Sequence, residues 1–266
     1  MKRRTFVKAS LVTGAAATII PATSMASPIA ASSKNEAELY ELRIYILKNN
    51  LQQKLVESYL QDAFIPGLNR LGIKNVGVFT ELKPEGQTQI YVFIPYNNIA
   101  AFLKVTHDLD KDTIYQDKGS AYLNAPAAHP AYERIESSLL AAFAHMPKMD
   151  LPGTQQRIFE LRQYQSATES AGKKKIEMFN DEGEIDIFKR LGFKPVFFGE
   201  TIIGPLRPNL TYMITFDDMA AHDSHWKAFV DDAEWKKISV APGYADAKLV
   251  SKITSTMIVP TSYSQI

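Results

Sequence analysis

The chain has 266 residues, 45 % of them hydrophobic, with 30 Lys and Arg against 29 Asp and Glu and no Cys. Absence of Cys excludes thiol catalysis, disulfides and every Cys-ligated metal site. A nearly even charge balance gives no basic footprint for a phosphate backbone, which excludes nucleic acid as a partner.

Residues 1–26 read as a signal peptide. Lys2, Arg3, Arg4 and Lys8 form a basic start, Leu11 to Ile20 is apolar or small, and Ser24-Met25-Ala26 has the small-x-small pattern of a cleavage site. Arg3-Arg4-Thr5-Phe6-Val7-Lys8 is similar to the twin-arginine motif, which predicts export, already folded, to the periplasm or the cell exterior. An ordinary secretory signal or an uncleaved anchor is the alternative. The apolar stretch is shorter than the about 20 residues of a spanning helix, so no membrane contact is expected after cleavage. Cleavage leaves 26 Lys and Arg against 29 Asp and Glu, a net charge near −3. Residues 27–37 read as a flexible mature N-terminus.

Residues 39–46 alternate with a period of two, as a strand does. Asn49-Asn50 breaks the strand and can cap a helix behind it. From Leu51 to Leu71 the apolar positions recur every three or four residues, which predicts a helix bent near Pro66 and ended by Gly72. Two strands come next, over 76–80 and 89–94, joined through Lys83 to Gln87. A helical region is expected over 98–115, with an interruption at His107-Asp108. Residues 134–143 read as either a strand or a short helix.

After a linker at 145–156 the order returns: strand 157–164, helix 170–191 with a break near Asn180 to Gly183, strands 194–202 and 210–216, helical region 218–239, strand 248–259. Three segments repeat in one order. Tyr40-Glu41-Leu42-Arg43-Ile44-Tyr45 matches Phe159-Glu160-Leu161-Arg162-Gln163-Tyr164 at a spacing of 119, Arg70-Leu71-Gly72 matches Arg190-Leu191-Gly192 at 120, and Tyr91 is set against Tyr212 at 121. A period this far above the roughly 20–50 residues of solenoid repeats means a duplicated domain. The fold class is α+β: tandem ferredoxin-like βαββαβ modules over 38–144 and 157–266. Each module has an open sheet face, and the two are expected to meet within the chain as one closed barrel, pairing between chains being the alternative.

If Leu42, Ile44 and Leu161 pack beneath the helices, Glu41, Arg43, Tyr45 and Glu160, Arg162, Tyr164 project into the barrel interior. These six are the candidate ligand-binding residues. Arg can hold a carboxylate bidentately, Glu can take a proton and Tyr can donate to a developing oxyanion. Set against this is a structural role, a salt-bridge network fixing how the sheets register. Aromatic residues around the second copy, Phe193, Phe197, Phe198, Tyr212 and Phe216, make it the preferred place for a pocket. No catalytic residue is assigned. His222 and His225, three apart, are the nearest approach to a metal pair, but no zinc spacing accompanies them and no metal is predicted. No GxSxG elbow, Walker loop or CxxCH haem attachment occurs.

The paired openings at Tyr40–Tyr45 and Phe159–Tyr164, Arg190 to Pro195, the segment His225 to Trp235 and the ending Met257 to Tyr263 together resemble the NIPSNAP family. The resemblance covers nearly all of 38–265, and the first copy lacks a counterpart of the Trp226 to Trp235 segment. It implies the dimeric α/β-barrel type of fold, shared with cofactor-free monooxygenases, haem-binding enzymes and isomerases, and carries no catalytic residues over. Two functions therefore stand side by side: an exported binding or interaction module for a small aromatic or carboxylate-bearing molecule, or a monooxygenase-like oxidoreductase or isomerase working in the barrel interior. No cofactor is predicted, haem and flavin being left open, and a homo-oligomer is a further expectation.

Overall fold

A computed structural model describes residues 37–266. The leader expected over 1–26, and all but the last residue of the 27–37 stretch, lie outside the described residues. The first half runs β1 (Leu39–Leu47), α1 (Asn50–Tyr59), α2 (Ile65–Arg70), β2 (Gly77–Glu81), β3 (Thr88–Tyr96), α3 (Ile99–Asp110), α4 (Thr113–Leu123) and β4 (Arg134–Ala142). The second runs β5 (Ile158–Gln165), α5 (Glu169–Asn180), α6 (Glu184–Arg190), β6 (Lys194–Ile203), β7 (Asn209–Phe216), α7 (Met219–Asp231), α8 (Ala233–Ser239), α9 (Asp246–Leu249) and β8 (Lys252–Pro260).

Local chemistry explains the breaks. Pro66 lacks the N–H that a continuous helix would bond to Asp62, and a π turn over Leu60–Phe64 takes up the misfit between α1 and α2. The next helical region breaks at Lys111-Asp112 rather than at His107-Asp108. There the Asp112 carboxylate accepts the N–H groups of Ile114 and Tyr115, both at 3.0 Å, and starts α4. Residues 134–142 are a strand, β4.

The eight strands close into one antiparallel barrel in the order β1-β3-β2-β8-β5-β7-β6-β4. Each half contributes four adjacent strands, and the seams are β2 with β8 and β4 with β6. The fold is thus a mixed α/β fold around an eight-stranded barrel closed within one chain, which leaves no free sheet edge.

An eight-stranded barrel is just wide enough for side chains to fill it. Tyr40, Phe79, Phe93, Phe159, Phe197 and Met213 do so, each with no accessible surface. Phe93 stacks on Phe197 at 4.5 Å, Tyr40 lies 5.1 Å from both rings, and Phe79 meets Phe159 edge-on at 5.0 Å. The helices pack on the outside. Val56, Tyr59, Leu60 and Phe64 cover the first half; Phe179, Ile185 and Phe188 cover the second.

This arrangement corrects the facing of the candidate strands. Tyr40, Leu42 and Ile44 belong to the barrel interior, whereas Tyr45 lies in the layer beneath α1 and α2. Phe159 and Leu161 are likewise inside, and Tyr164 packs with Phe179 beneath α5. Glu41, Arg43, Glu160 and Arg162 alternate with these residues and so lie on the helix side. So narrow a lumen cannot hydrate six long polar side chains, while the helix layer can supply partners for each of them.

The repeat is also refined by strand register. Arg43 stands opposite Val92 and Arg162 opposite Tyr212. Val92, not Tyr91, is therefore the counterpart of Tyr212, and the spacing there is 120. Because a strand slip of one residue changes faces, Tyr91 points into the barrel while Tyr212 lies under the helices.

The Arg-Leu-Gly repeat proves to be a helix stop with a tether. Gly72 and Gly192 take positive φ values of 83° and 86°, a left-handed conformation that disfavours a Cβ. Beyond them Ile73 N–H returns to the Leu68 carbonyl and Phe193 N–H to that of Phe188, both at 3.0 Å. Arg70 binds Asp112, the cap of α4, at 2.6 Å, and Arg190 binds Asp232, the cap of α8, through two bonds of 3.0 Å. Arg190 and the backbone N–H groups it faces across the cap hold the Asp232 carboxyl down at about 2.

Candidate functional site

Each Glu-Arg-Tyr set is completed by a serine from the neighbouring strand. Ser137 of β4 stands opposite Arg43 and Ser255 of β8 opposite Arg162. In the first half Glu41 Oε1 accepts from Arg43 Nε and Nη2, both at 2.9 Å, and from Ser137 Oγ at 2.5 Å. Glu41 Oε2 accepts the Tyr96 hydroxyl at 3.1 Å. Arg43 Nη1 donates to Tyr45 at 3.3 Å, and its guanidinium lies 5.0 Å above the Phe64 ring.

The second half is denser. Glu160 Oε1 accepts from Arg162 Nη1 at 2.7 Å and Ser255 Oγ at 2.5 Å. Its Oε2 accepts from Trp226 Nε1 at 2.8 Å and faces His222 Nε2 at 3.3 Å. Arg162 Nη2 donates to the Tyr164 hydroxyl at 3.1 Å, Tyr164 meets the Tyr212 hydroxyl at 3.0 Å, and the guanidinium lies 4.3 Å from the Trp226 ring. Phe216 stands opposite Ile158 where Tyr96 stands opposite Leu39. The second half has therefore lost the phenol that caps Glu41, and Trp226 of α7 supplies the donor instead.

A carboxylate has about four acceptor positions; three donor groups, Arg162, Ser255 and Trp226, and the His222 ring surround Glu160, which is 1 % exposed. It is a closed acceptor, not a free base. Burial pushes Tyr164 and Tyr212 up, so both remain neutral phenols, one donating to the other. Burial works against the Arg162 charge, but Tyr212, Tyr164 and Glu160 outweigh it and hold the guanidinium protonated.

A second buried ionic group adjoins this one. Lys175 Nζ lies 3.1 Å from Glu184 and 3.0 Å from Asp246, with the rings of Phe179, Trp235 and Tyr164 at 5.0, 5.3 and 5.5 Å. The corresponding first-half positions, Val56 and Phe64, are apolar. Burial raises Glu184 to about 7, the Lys175 charge working in the other direction.

The structure thus brings together Glu160, Arg162, Tyr164 and His222, and separately Glu41, Arg43 and Tyr45. His225 turns away, its Nδ1 donating to the Ala221 carbonyl at 2.6 Å. His222 and His225 do not converge, and among the described residues no group of three or more His, Asp or Glu side chains is placed to hold a metal ion. Sequence reasoning missed Ser137, Ser255, Tyr96, Lys175 and Glu184. The serines carried a signal, since both lie in the last strand of their half at a spacing of 118.

Several clefts open to solvent around this half. One of about 400 Å³, lined by Met219, Ser255, Met257 and the β2–β3 hairpin, brings water to Ser255. A larger one of about 680 Å³ lies between the linker, the end of α6 and the start of β6, lined by Arg157, Lys189, Phe193 and Pro195 among others.

The chain is similar in structure to a monooxygenase candidate from Fusobacterium nucleatum subsp. nucleatum ATCC 25586, at 11 % identity and a TM-score of 0.57, with 85 % of this chain and 93 % of that one covered. It is as similar to a monooxygenase candidate from Lactobacillus acidophilus NCFM, at 12 % identity and a TM-score of 0.57, covering 85 % and 94 %. An anthrone oxidase-like protein is similar at 11 % identity and a TM-score of 0.50, covering 85 % and 92 %. At such identities these likenesses establish the fold, that of the dimeric α/β barrels, and not an activity. No curated protein sequence matches the chain. The NIPSNAP family model matches twice, over residues 40–147 and 159–265, and so takes in most of the chain: the protein belongs to the NIPSNAP family.

Proposed function

We propose that this protein is an exported, non-catalytic module that binds a small aromatic or carboxylate-bearing molecule on the outside of its barrel, each half being a ferredoxin-like unit paired with the other in the same chain. The observation that supports this best is that both buried carboxylates are taken up by donors of their own sets, although Arg162 Nε has no partner. Glu41 with Arg43 and Glu160 with Arg162 satisfy one another at 2.9 and 2.7 Å, and the lumen beside them is filled with aromatic rings. A reaction in the barrel interior would need a cavity and a group free to move a proton; the packed interior offers neither.

A monooxygenase-like oxidoreductase or isomerase is the second reading. It is favoured by the fold shared with two monooxygenase candidates and by the cleft that reaches Ser255 beside Glu160 and His222. Arg162→Ala separates the two. On the binding reading the variant loses stability and keeps its ligand; loss of turnover of an identified compound in a still-folded variant would establish the enzyme instead.

A further inference from the structure

The geometry points to a carboxylate-binding site in the linker cleft, with Arg157 as the anion contact and a small aryl carboxylate as the ligand class. This deepens the binding reading and rests on it. Buried Lys175 and half-buried Arg43 and Arg162 each have an acid, at 3.1, 2.9 and 2.7 Å. Arg157 is only 7 % exposed, yet its sole side-chain hydrogen bond runs from Nε to the Gln155 carbonyl at 3.0 Å. Among the described residues no carboxylate lies within ion-pair distance of it. A guanidinium held in a cleft wall without a counter-ion offers its free N–H groups for a charge-assisted contact with an anionic ligand.

The surroundings define what fits. Arg157 lines the cleft of about 680 Å³, within the roughly 300–1,000 Å³ usual for small-molecule sites. Lys189 and Lys194 stand at its rim, and Phe193, Pro195 and Val196 form an apolar wall. Leu151, 57 % exposed, adds apolar surface from the linker side. Asp150 also lines the cleft and Lys194 is paired with Asp217 at 3.5 Å, so Arg157 and Lys189 face one acid, a balance suited to a singly charged ligand with a flat apolar body. The linker passes close over the guanidinium at Gly153, where a Cβ would come within 3.2 Å of Arg157 Nη2. Among the described residues the site has no counterpart in the first half. By strand register the first-half counterpart of Arg157 is Glu38, whose carboxylate accepts the Met149 N–H at 2.8 Å.

Benzoate serves as the probe and benzamide, its uncharged relative, as the control, each titrated into the isotope-labelled mature protein and monitored by amide shifts. Benzoate is expected to move the amides of Leu151, of Gly153 to Arg157, and of Phe193, Lys194 and Val196, and benzamide to leave them in place. Arg157→Gln should bind benzoate at least about tenfold more weakly, the loss of a charge-assisted contact, and Arg157→Lys should recover part. Lys189→Gln, at an exposed position, should weaken binding without disturbing the fold and so keeps the test open if Arg157→Gln does not fold. Benzoate shifts confined to another part of the wild-type protein, or equal binding of benzamide, would overturn the assignment. Failure of the wider reading looks different: a compound converted to product would end it wherever benzoate binds.

Discussion

The indole N–H of Trp226 donates to Glu160 Oε2 at 2.8 Å, and it does so because Phe216 stands where the first half has Tyr96, whose hydroxyl serves Glu41 at 3.1 Å. The two halves thus solve one problem, a buried carboxylate, with donors from different elements. Trp226→Phe should destabilise the protein by about 2–4 kcal/mol, through loss of a hydrogen bond to a charged group and exchange of the indole over Arg162 for a smaller, weaker aromatic face. Tyr96→Phe removes the hydrogen bond alone and should cost about 1.5–3 kcal/mol. Urea denaturation of the two variants checks both the sizes and their order.

Arg162→Ala leaves Glu160 buried with its main counter-charge gone. A loss of about 3–5 kcal/mol is expected. The double variant Glu160→Gln with Arg162→Met should be less damaged than Arg162→Ala, because no uncompensated charge remains. Thermal unfolding of the three proteins tests this; a double variant worse than the single one would show that the pair is not acting as a closed charge.

Glu184 gives the protein a pH dependence whose sign can be stated. Its folded value is raised to about 7 by burial, above the ordinary glutamate range near 4.3. The folded state therefore binds this proton more tightly than the unfolded state. The stabilisation is fully present below the unfolded value and is lost as pH rises towards 7, by at most about 1.4 kcal/mol per pH unit. Glu184→Gln should flatten that part of the profile, measured as denaturant stability between pH 4 and 8.

Phe197→Ala should cost about 3–5 kcal/mol and open a void among the rings of Phe93 and Tyr40. The void is apolar and closed, so a small neutral aromatic such as benzene should restore part of the lost stability to the variant and none to the wild type. Thermal shifts with and without benzene read this directly.

Much of the fold was legible, because the elements announce themselves locally. Asn49 caps a helix, Gly72 and Gly192 end two, and strand and helix periods differ, whereas the break capped by Asp112 was expected at His107-Asp108. The facing of β1 and β5 was not legible. Both sides of such a strand are buried, so Tyr40, Leu42 and Ile44 alternate with Glu41, Arg43 and Tyr45 without marking which side holds the lumen. What decides it is the width of a closed eight-stranded barrel, a property of all eight strands together. Tyr91 and Tyr212 misled for a related reason: matching tyrosines by identity slipped the register by one residue and exchanged the faces. The polar cluster was half legible. Its Glu, Arg and Tyr repeat in sequence, but Ser255, Trp226 and His222 come from 60 to 95 residues away, and only the pairing of β5 with β8 and the docking of α7 bring them to Glu160. Lys175 and Glu184 broke no pattern that periodicity could detect, since each looks like an ordinary exposed helix residue.

The most direct test of the central claim is native mass spectrometry of the purified protein, with a visible absorption scan, before and after incubation with the retained small molecule in air. A non-catalytic carboxylate-binding module should carry a small acid of unchanged mass, show no haem or flavin band, and lose that acid in Arg157→Gln but not in Arg162→Ala. Conversion of the molecule to a product of different mass, abolished by Arg162→Ala, would contradict it.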